Sequence, residues 1–139
     1  MLLGLSHITR IVRDVDRTGA LYKDLFEAQE VYASGDVPFS ISRERFFLIC
    51  GIWFCIMEGA PLPIETYNHI AFQIQPEQMD AYREKIQKRG LTIRQGRPRV
   101  EGEGSSLYFY DYDNHLFELH TGNLNERLAR YARQEGGIG

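Results

Sequence analysis

Apolar and polar residues alternate along several short runs of this chain, and that alternation predicts strands. From Leu5 to Val12, the residues Leu5, His7, Thr9 and Ile11 share one face, and Ser6, Ile8, Arg10 and Val12 share the other. Asp14 or Asp16 is placed to cap a helix over about Arg17 to Phe26, whose apolar side is Ala20, Leu21, Leu25 and Phe26. A short extended piece follows at Val31 to Ala33, and Gly35, Asp36 and Pro38 mark a turn. Phe39 to Cys50 reads as a long strand, and Ile52 to Met57 as another, joined at Cys50-Gly51. Glu58 to Glu65, rich in Pro and Gly, is the linker.

The pattern then restarts. Tyr67 to Ile74 alternates, with Tyr67, His69, Ala71 and Gln73 on one face. Pro76 and Glu77 open a helix running to about Arg89, and Gly90 stops it. Leu91 to Arg94 is short and extended, and 95–104 is a loop. Ser106 to Gly122 is a strand, a tight turn and a second strand. Ser106, Tyr108 and Tyr110 alternate with Leu107 and Phe109; Leu116, Glu118 and His120 alternate with Phe117 and Leu119. Asp111, Asp113 and Asn114 suit the turn, because short polar side chains bond their own backbone and tolerate left-handed dihedrals. A C-terminal helix over about Asn123 to Gln134 ends in a Gly-rich tail expected to fray.

The two halves therefore share one order of elements. LSHITRIV aligns with YNHIAFQI, setting His7 opposite His69; FLICGIWFCIME aligns with YDYDNHLFELHT, setting Cys55 near Glu118. The expected fold is α+β: paired βαβββ modules, about 1–58 and 66–122, whose sheets form one cupped, barrel-like cavity within a single domain of 1–139.

Composition narrows the function. The chain has 139 residues, 43% hydrophobic and 25% charged, as an ordinary globular domain does. A formal net charge of -3 supplies no basic field for nucleic acid or an acidic membrane. The start, MLLGLSHITR, does not read as a signal peptide, and no apolar run approaches a membrane span. Cys50 and Cys55 lie in an apolar, strand-like run, which reads as buried thiols in a reducing, cytoplasmic compartment rather than as a disulfide scaffold.

Glu118 carries the candidate chemistry. A carboxylate in mid-strand between Phe117 and Leu119 stands either on a wet face or in an interior with a partner. The alignment favours the second: His7 and His69 at matching positions, plus Glu118, form a set that suits a divalent first-row metal with open positions for substrate. Cys55 fills the corresponding slot of the first half, where it reads as a small buried apolar residue. His115, in the turn, and His120, near the strand end, are weaker ligand candidates.

These motifs resemble a known family. GLSHIT at Gly4 to Thr9, YNHIAF at Tyr67 to Phe72, EGEGSSLYFYDYDNHLFELHTG at Glu101 to Gly122 and NERLARY at Asn125 to Tyr131 resemble the vicinal oxygen chelate superfamily. That superfamily includes glyoxalase I, extradiol dioxygenases and fosfomycin resistance proteins. The likeness to the last group runs nearly end to end. YASGDVPFSISRERFFLI and RPRVEGEGSS are most similar to its hydrolase type, FosX. The resemblance implies a domain-swapped homodimer and Mn(II) held by His7, His69 and Glu118. It also implies the substrate fosfomycin, a small phosphonate epoxide, with water as co-substrate. By similarity Thr9, Ser106, Tyr108 and Arg127 contact the phosphonate. Arg94 and Arg99, with Arg97, add positive charge, standing where thiol-transferring members use a lysine. Glu44 matches the general base of the hydrolase type. Its strand parity groups it with Ser42, Phe46 and Leu48, apart from Arg43 and Arg45, so its carboxylate can be desolvated and accept a proton. Glu126, beside Arg127, is a further candidate to orient the water or the Arg.

Three other readings use the same fold. A thiol transferase on fosfomycin is set apart by the presence of Glu44, and a metal-free drug-binding dimer by the intact His, His, Glu set. An extradiol dioxygenase needs a distal His and Tyr, for which Tyr108 and His120 are loose substitutes.

Overall fold

The structure is a computed structural model describing residues 1–35, 41–94 and 104–137. Among the described residues eight strands and three α-helices follow one another as β1 (His7–Val12), α1 (Val15–Phe26), β2 (Gln29–Ala33), β3 (Glu44–Ile49), β4 (Ile52–Glu58), β5 (His69–Gln73), α2 (Met79–Lys88), β6 (Ile93–Arg94), β7 (Ser106–Tyr110), β8 (Leu116–His120) and α3 (Leu124–Gly137). The strands form two four-stranded sheets ordered β1-β4-β3-β2 and β5-β8-β7-β6. Each half is thus a βαβββ module with one parallel pair and two antiparallel pairs. The chain divides into two compact units. The first is Met1–Glu65 with Tyr112–Asn114, and the second is Thr66–Asp111 with His115–Gly139.

In the first unit, Asp14 caps α1: its Oδ1 accepts from the amides of Asp16 and Arg17, both at 3.0 Å. The helix buries Leu21, Tyr22, Leu25 and Phe26 against β3 and β4, where Phe47, Phe54 and Ile56 supply the opposing face. The Tyr22 ring meets Phe47 at 5.8 Å and Phe54 at 6.3 Å, both edge-on, a preferred aromatic geometry. Cys50 and Gly51, with φ of 50° and 76°, make the tight hairpin turn whose twist suits antiparallel strands.

In the second unit, Pro76–Gln78 forms a single tight turn that leads into α2, and Gln78 Oε1 accepts from the Gln75 amide at 2.9 Å. Gly90, with φ of 68°, ends that helix. Ile86 is buried, and Phe109 and Phe117 stack at 5.7 Å on the opposing sheet face. The β7–β8 turn holds Asn114 at φ 68°, while Asp111 accepts from the His115 amide at 2.9 Å and meets its ring Nδ1 at 2.8 Å. His115 is therefore a buried structural residue of the turn.

Several element ends differ from the sequence reading, because neighbours set them. The strand expected over Phe39 to Cys50 begins at Glu44 among the described residues, where the Ser34 amide donates to the Glu44 carbonyl at 2.9 Å and the Glu58 amide to the Arg43 carbonyl at 2.8 Å. Strands β1 and β5 start at His7 and His69, opposite Trp53 and Leu116, just beyond the hairpin turns. The helix expected to end at Gln134 runs on to Gly137. Cys50, expected inside, is exposed at the turn, and Cys55 is buried. Asp36 and Pro38 of the expected turn, and most of the 95–104 loop, lie outside the described residues.

Candidate active site

The register bears out the alignment of the halves. In the first sheet His7 pairs with Trp53 and Thr9 with Cys55; in the second, His69 pairs with Leu116 and Ala71 with Glu118. Cys55 and Glu118 therefore occupy equivalent places, each beside the residue two after a histidine.

In the second unit, Glu118 is 6% exposed, in the interior rather than on a wet face. His69 Nδ1 lies 2.6 Å from the Tyr67 carbonyl, which accepts only, so that nitrogen carries the hydrogen. The other nitrogen, Nε2, faces Glu118 Oε1 at 3.1 Å. In a neutral ring two lone pairs would then meet, and a cation between them removes the conflict. A backbone carbonyl fixing the ring and a lone pair turned to a buried carboxylate is the arrangement that metal-binding histidines use. The residues fit a divalent metal on this ground. The second carboxylate oxygen, Oε2, accepts from Ser106 Oγ at 2.6 Å, and Ser106 Oγ also lies 2.7 Å from His120 Nδ1. Tyr108 pairs with Glu118 across the hairpin, and its hydroxyl meets that of Tyr67 at 3.0 Å. Burial first, then the hydrogen bond with Tyr67 and the charge of Glu118, push the Tyr108 phenol well above its usual range. Arg94 donates to the Tyr110 hydroxyl at 2.8 Å, with its guanidinium 5.0 Å from the Tyr67 ring centre.

In the first unit, one sheet face carries His7 and Thr9 from β1, Trp53 and Cys55 from β4, and Glu44 and Phe46 from β3. The His7 ring lies 4.2 Å from that of Trp53, and its Nδ1 is 3.0 Å from Ser6 Oγ. Glu44 is 7% exposed, while Arg45 on the opposite face is engaged with Glu30 and Asp16. The Cys55 thiol donates to Glu44 Oε2 at 3.7 Å. Burial, and then Glu44, push that thiol up to about 11, with a hydrogen bond from Thr9 acting the other way.

The predicted residues thus fall into two groups. His69, Glu118, Ser106, Tyr108 and Arg94 share one face of the second sheet; His7, Thr9 and Glu44 share one face of the first. Arg127 is half-buried on α3, whose start Asn123 caps by accepting from the Glu126 amide at 2.9 Å. Arg97 and Arg99 lie outside the described residues. Among the described residues, no group of three or more His, Cys, Asp or Glu side chains is gathered closely enough to hold a metal ion. Sequence reasoning passed over Tyr67 and Trp53. The parity that grouped Tyr67 with His69 was the available signal.

The model of the Glyoxalase/Bleomycin resistance protein/Dioxygenase superfamily matches residues 4–119. The chain belongs to that superfamily. Within it, the chain is 60% identical over 131 residues to the fosfomycin resistance protein FosX of Listeria monocytogenes, covering 94% of this chain and 98% of that one. It is 57% identical over 133 residues to FosX of Mesorhizobium japonicum, covering 96% of each. The fold matches a crystal structure of a mutant Listeria monocytogenes FosX complexed with Mn(II) and 1S,2S-dihydroxypropylphosphonic acid, with a TM-score of 0.86 and 56% identity over 94% of this chain and 99% of that one. The superfamily fold and the FosX likeness expected from the motifs are both found. Among the described residues no helix is long and apolar enough to cross a membrane.

Proposed function

We propose that this protein is a Mn(II)-dependent epoxide hydrolase that opens the oxirane of fosfomycin with water, giving the diol and conferring resistance. The observation that carries the hydrolase reading is the burial of Glu44, on the same sheet face as His7 and Thr9. A buried carboxylate whose Oε2 accepts, among the described residues, a weak thiol donor keeps acceptor capacity for a water proton. The dihydroxypropylphosphonic acid held by the related FosX is the product such a reaction would form.

The proposed ligands are His7, His69 and Glu118. His7 belongs to the first unit, His69 and Glu118 to the second. Following the family resemblance, we assign the complete set to a domain-swapped homodimer whose sheets form the cupped cavity. The apolar stripe Leu124, Leu128 and Tyr131, exposed on α3, supports self-association. When bound, Mn(II) supplies Lewis-acid stabilisation of the negative charge that develops on the oxirane oxygen.

The remaining steps belong to the chain's own residues. Thr9, Ser106, Tyr108, Arg94, Arg99 and Arg127 bind and orient the phosphonate. Glu44 takes a proton from water as the water oxygen bonds to an oxirane carbon and the carbon–oxygen bond of the ring breaks. The proton then goes to the ring oxygen, and the diol leaves. Both cysteines are free, which agrees with a cytoplasmic setting.

The deciding experiment is the product formed from fosfomycin and Mn(II) in buffer alone. Mass spectrometry is expected to show addition of one water. A product only when a thiol is supplied, carrying the thiol's mass, would replace this reading with the transferase.

A further inference from the structure

The oxygens of Glu118 do different work. Oε1 faces His69 Nε2 at 3.1 Å, and Oε2 is held on the other side by Ser106 and His120. Ser106 has one hydroxyl hydrogen. At 2.6 Å from a carboxylate, that hydrogen goes to Glu118 Oε2. The 2.7 Å contact between Ser106 Oγ and His120 Nδ1 then requires the imidazole to donate. His120 Nδ1 also stands 3.3 Å from Glu118 Oε2, so its hydrogen is shared between the hydroxyl and the carboxylate. The hairpin register places all three, since Ser106 pairs directly with His120, one step along the same sheet face from the Tyr108–Glu118 pair.

We propose that His120 is a positioning residue for the metal centre, acting mainly through the Ser106 hydroxyl to hold the Glu118 carboxylate with Oε1 turned toward His69 Nε2. This rests on the metal reading above. The relay occupies Oε2 and fixes the plane of the carboxylate, so one oxygen is presented to the metal in a set orientation. Hydrogen-bonded partners of ligating carboxylates tune metal affinity in this way.

The test titrates Mn(II) into metal-stripped protein and reads free Mn(II) by electron paramagnetic resonance, with circular dichroism to establish folding. His120→Phe is expected to raise the Mn(II) Kd roughly 10–100-fold. His120→Asn, whose amide nitrogen can donate from about the position of Nδ1, is expected to stay within about threefold of wild type. Ser106→Ala is expected to weaken binding comparably, and adding His120→Phe to it should cost little more, because the two act as one unit. An unchanged Kd in folded His120→Phe, equal losses in the Asn and Phe variants, or fully additive losses would each overturn the relay. If His120→Phe does not fold, His120→Leu, which likewise cannot donate, takes its place with the same expected and overturning results. His69→Ala separates the two claims. Retained Mn(II) in that variant removes the metal reading itself, whereas loss there with no change in His120→Phe removes only the relay.

Discussion

The two modules have the same strand order and the same parallel register, yet at one equivalent position the first carries Cys55 and the second Glu118. Around Glu118 the second module gathers hydrogen-bonding groups, namely Ser106, His120, Tyr108 and the His69 ring. Around Cys55 the first gathers a carboxylate and rings: Glu44, Trp53 and Phe46. A duplicated scaffold has kept its geometry and divided its chemistry. The second module sets a ring nitrogen against a buried carboxylate, and the first keeps one carboxylate dry, with a thiol as its weak donor.

The largest effect should come from removing the cation-holding side. His69→Ala is expected to lose bound Mn(II) and hydration together, because the Nε2 lone pair opposite Glu118 disappears. Metal stoichiometry after dialysis checks this, and full occupancy in the variant would deny His69 its place as a ligand.

Next comes the first module's carboxylate. Glu44→Gln keeps the shape and removes the proton acceptor, so hydration should fall roughly 10²–10⁴-fold, the usual range for a general base. Mn(II) and fosfomycin affinity should stay nearly unchanged. Phosphorus NMR of the diol measures the rate, and normal turnover would end the assignment.

The two hairpin tips extend the comparison to stability. In the first, Cys50 and Gly51 form a minimal exposed turn. In the longer second one, residues 112–114 belong to the first compact unit. There Asp113, 0% exposed, accepts from the Arg13 amide at 3.0 Å and from its Nε at 2.9 Å, and Arg13 also donates to the Tyr112 carbonyl. Arg17 stacks on the Tyr112 ring at 4.1 Å. Arg13→Met removes the guanidinium bond to this buried carboxylate and should cost about 1–3 kcal/mol in urea unfolding. A loss below about 0.5 kcal/mol would show the tip to be loosely held.

Much of this was legible in the chain itself. The strand-helix-strand-strand-strand order and the equivalence of His7 with His69 follow from a two-residue period recurring in two similar stretches. Period-two parity also put Ser106 and Tyr108 on one face of their strand, and Leu116, Glu118 and His120 on one face of theirs. It could not say that Ser106 pairs with His120, because cross-strand register depends on how many residues the turn consumes. Strand ends were not legible either. Residues 41–43 continue the apparent strand pattern, yet the strand begins at Glu44, because a ladder's extent is set by its partner strands and not by the residues alone. The burial of Glu44 was legible through parity, which sets it apart from Arg43 and Arg45 on either side. Their ion pairs with Asp16, Glu30 and Glu58 account for where those charges go.

The smallest effect probes the slot where the modules differ. Cys50 is exposed at the turn, and Cys55 is buried with its thiol pushed from 9.0 to about 11, chiefly by burial and then by Glu44. A rise of that size leaves roughly 100-fold fewer thiolates at a given pH, and the thiolate is the reactive form. At pH 8 a disulfide reagent should therefore label Cys50 quickly and Cys55 only after denaturation, giving one fast thiol per chain. The sign for stability follows from the same shift. Unfolding releases Cys55 to its ordinary value, so its favourable contribution is intact below pH 9 and is lost as pH rises toward 11. Cys55→Ala should flatten the decline of stability over that window while leaving the fast thiol in place. Two equally fast thiols in the native protein would mean that the first module's slot is open to solvent. The contrast with Glu118 would then be one of residue type alone.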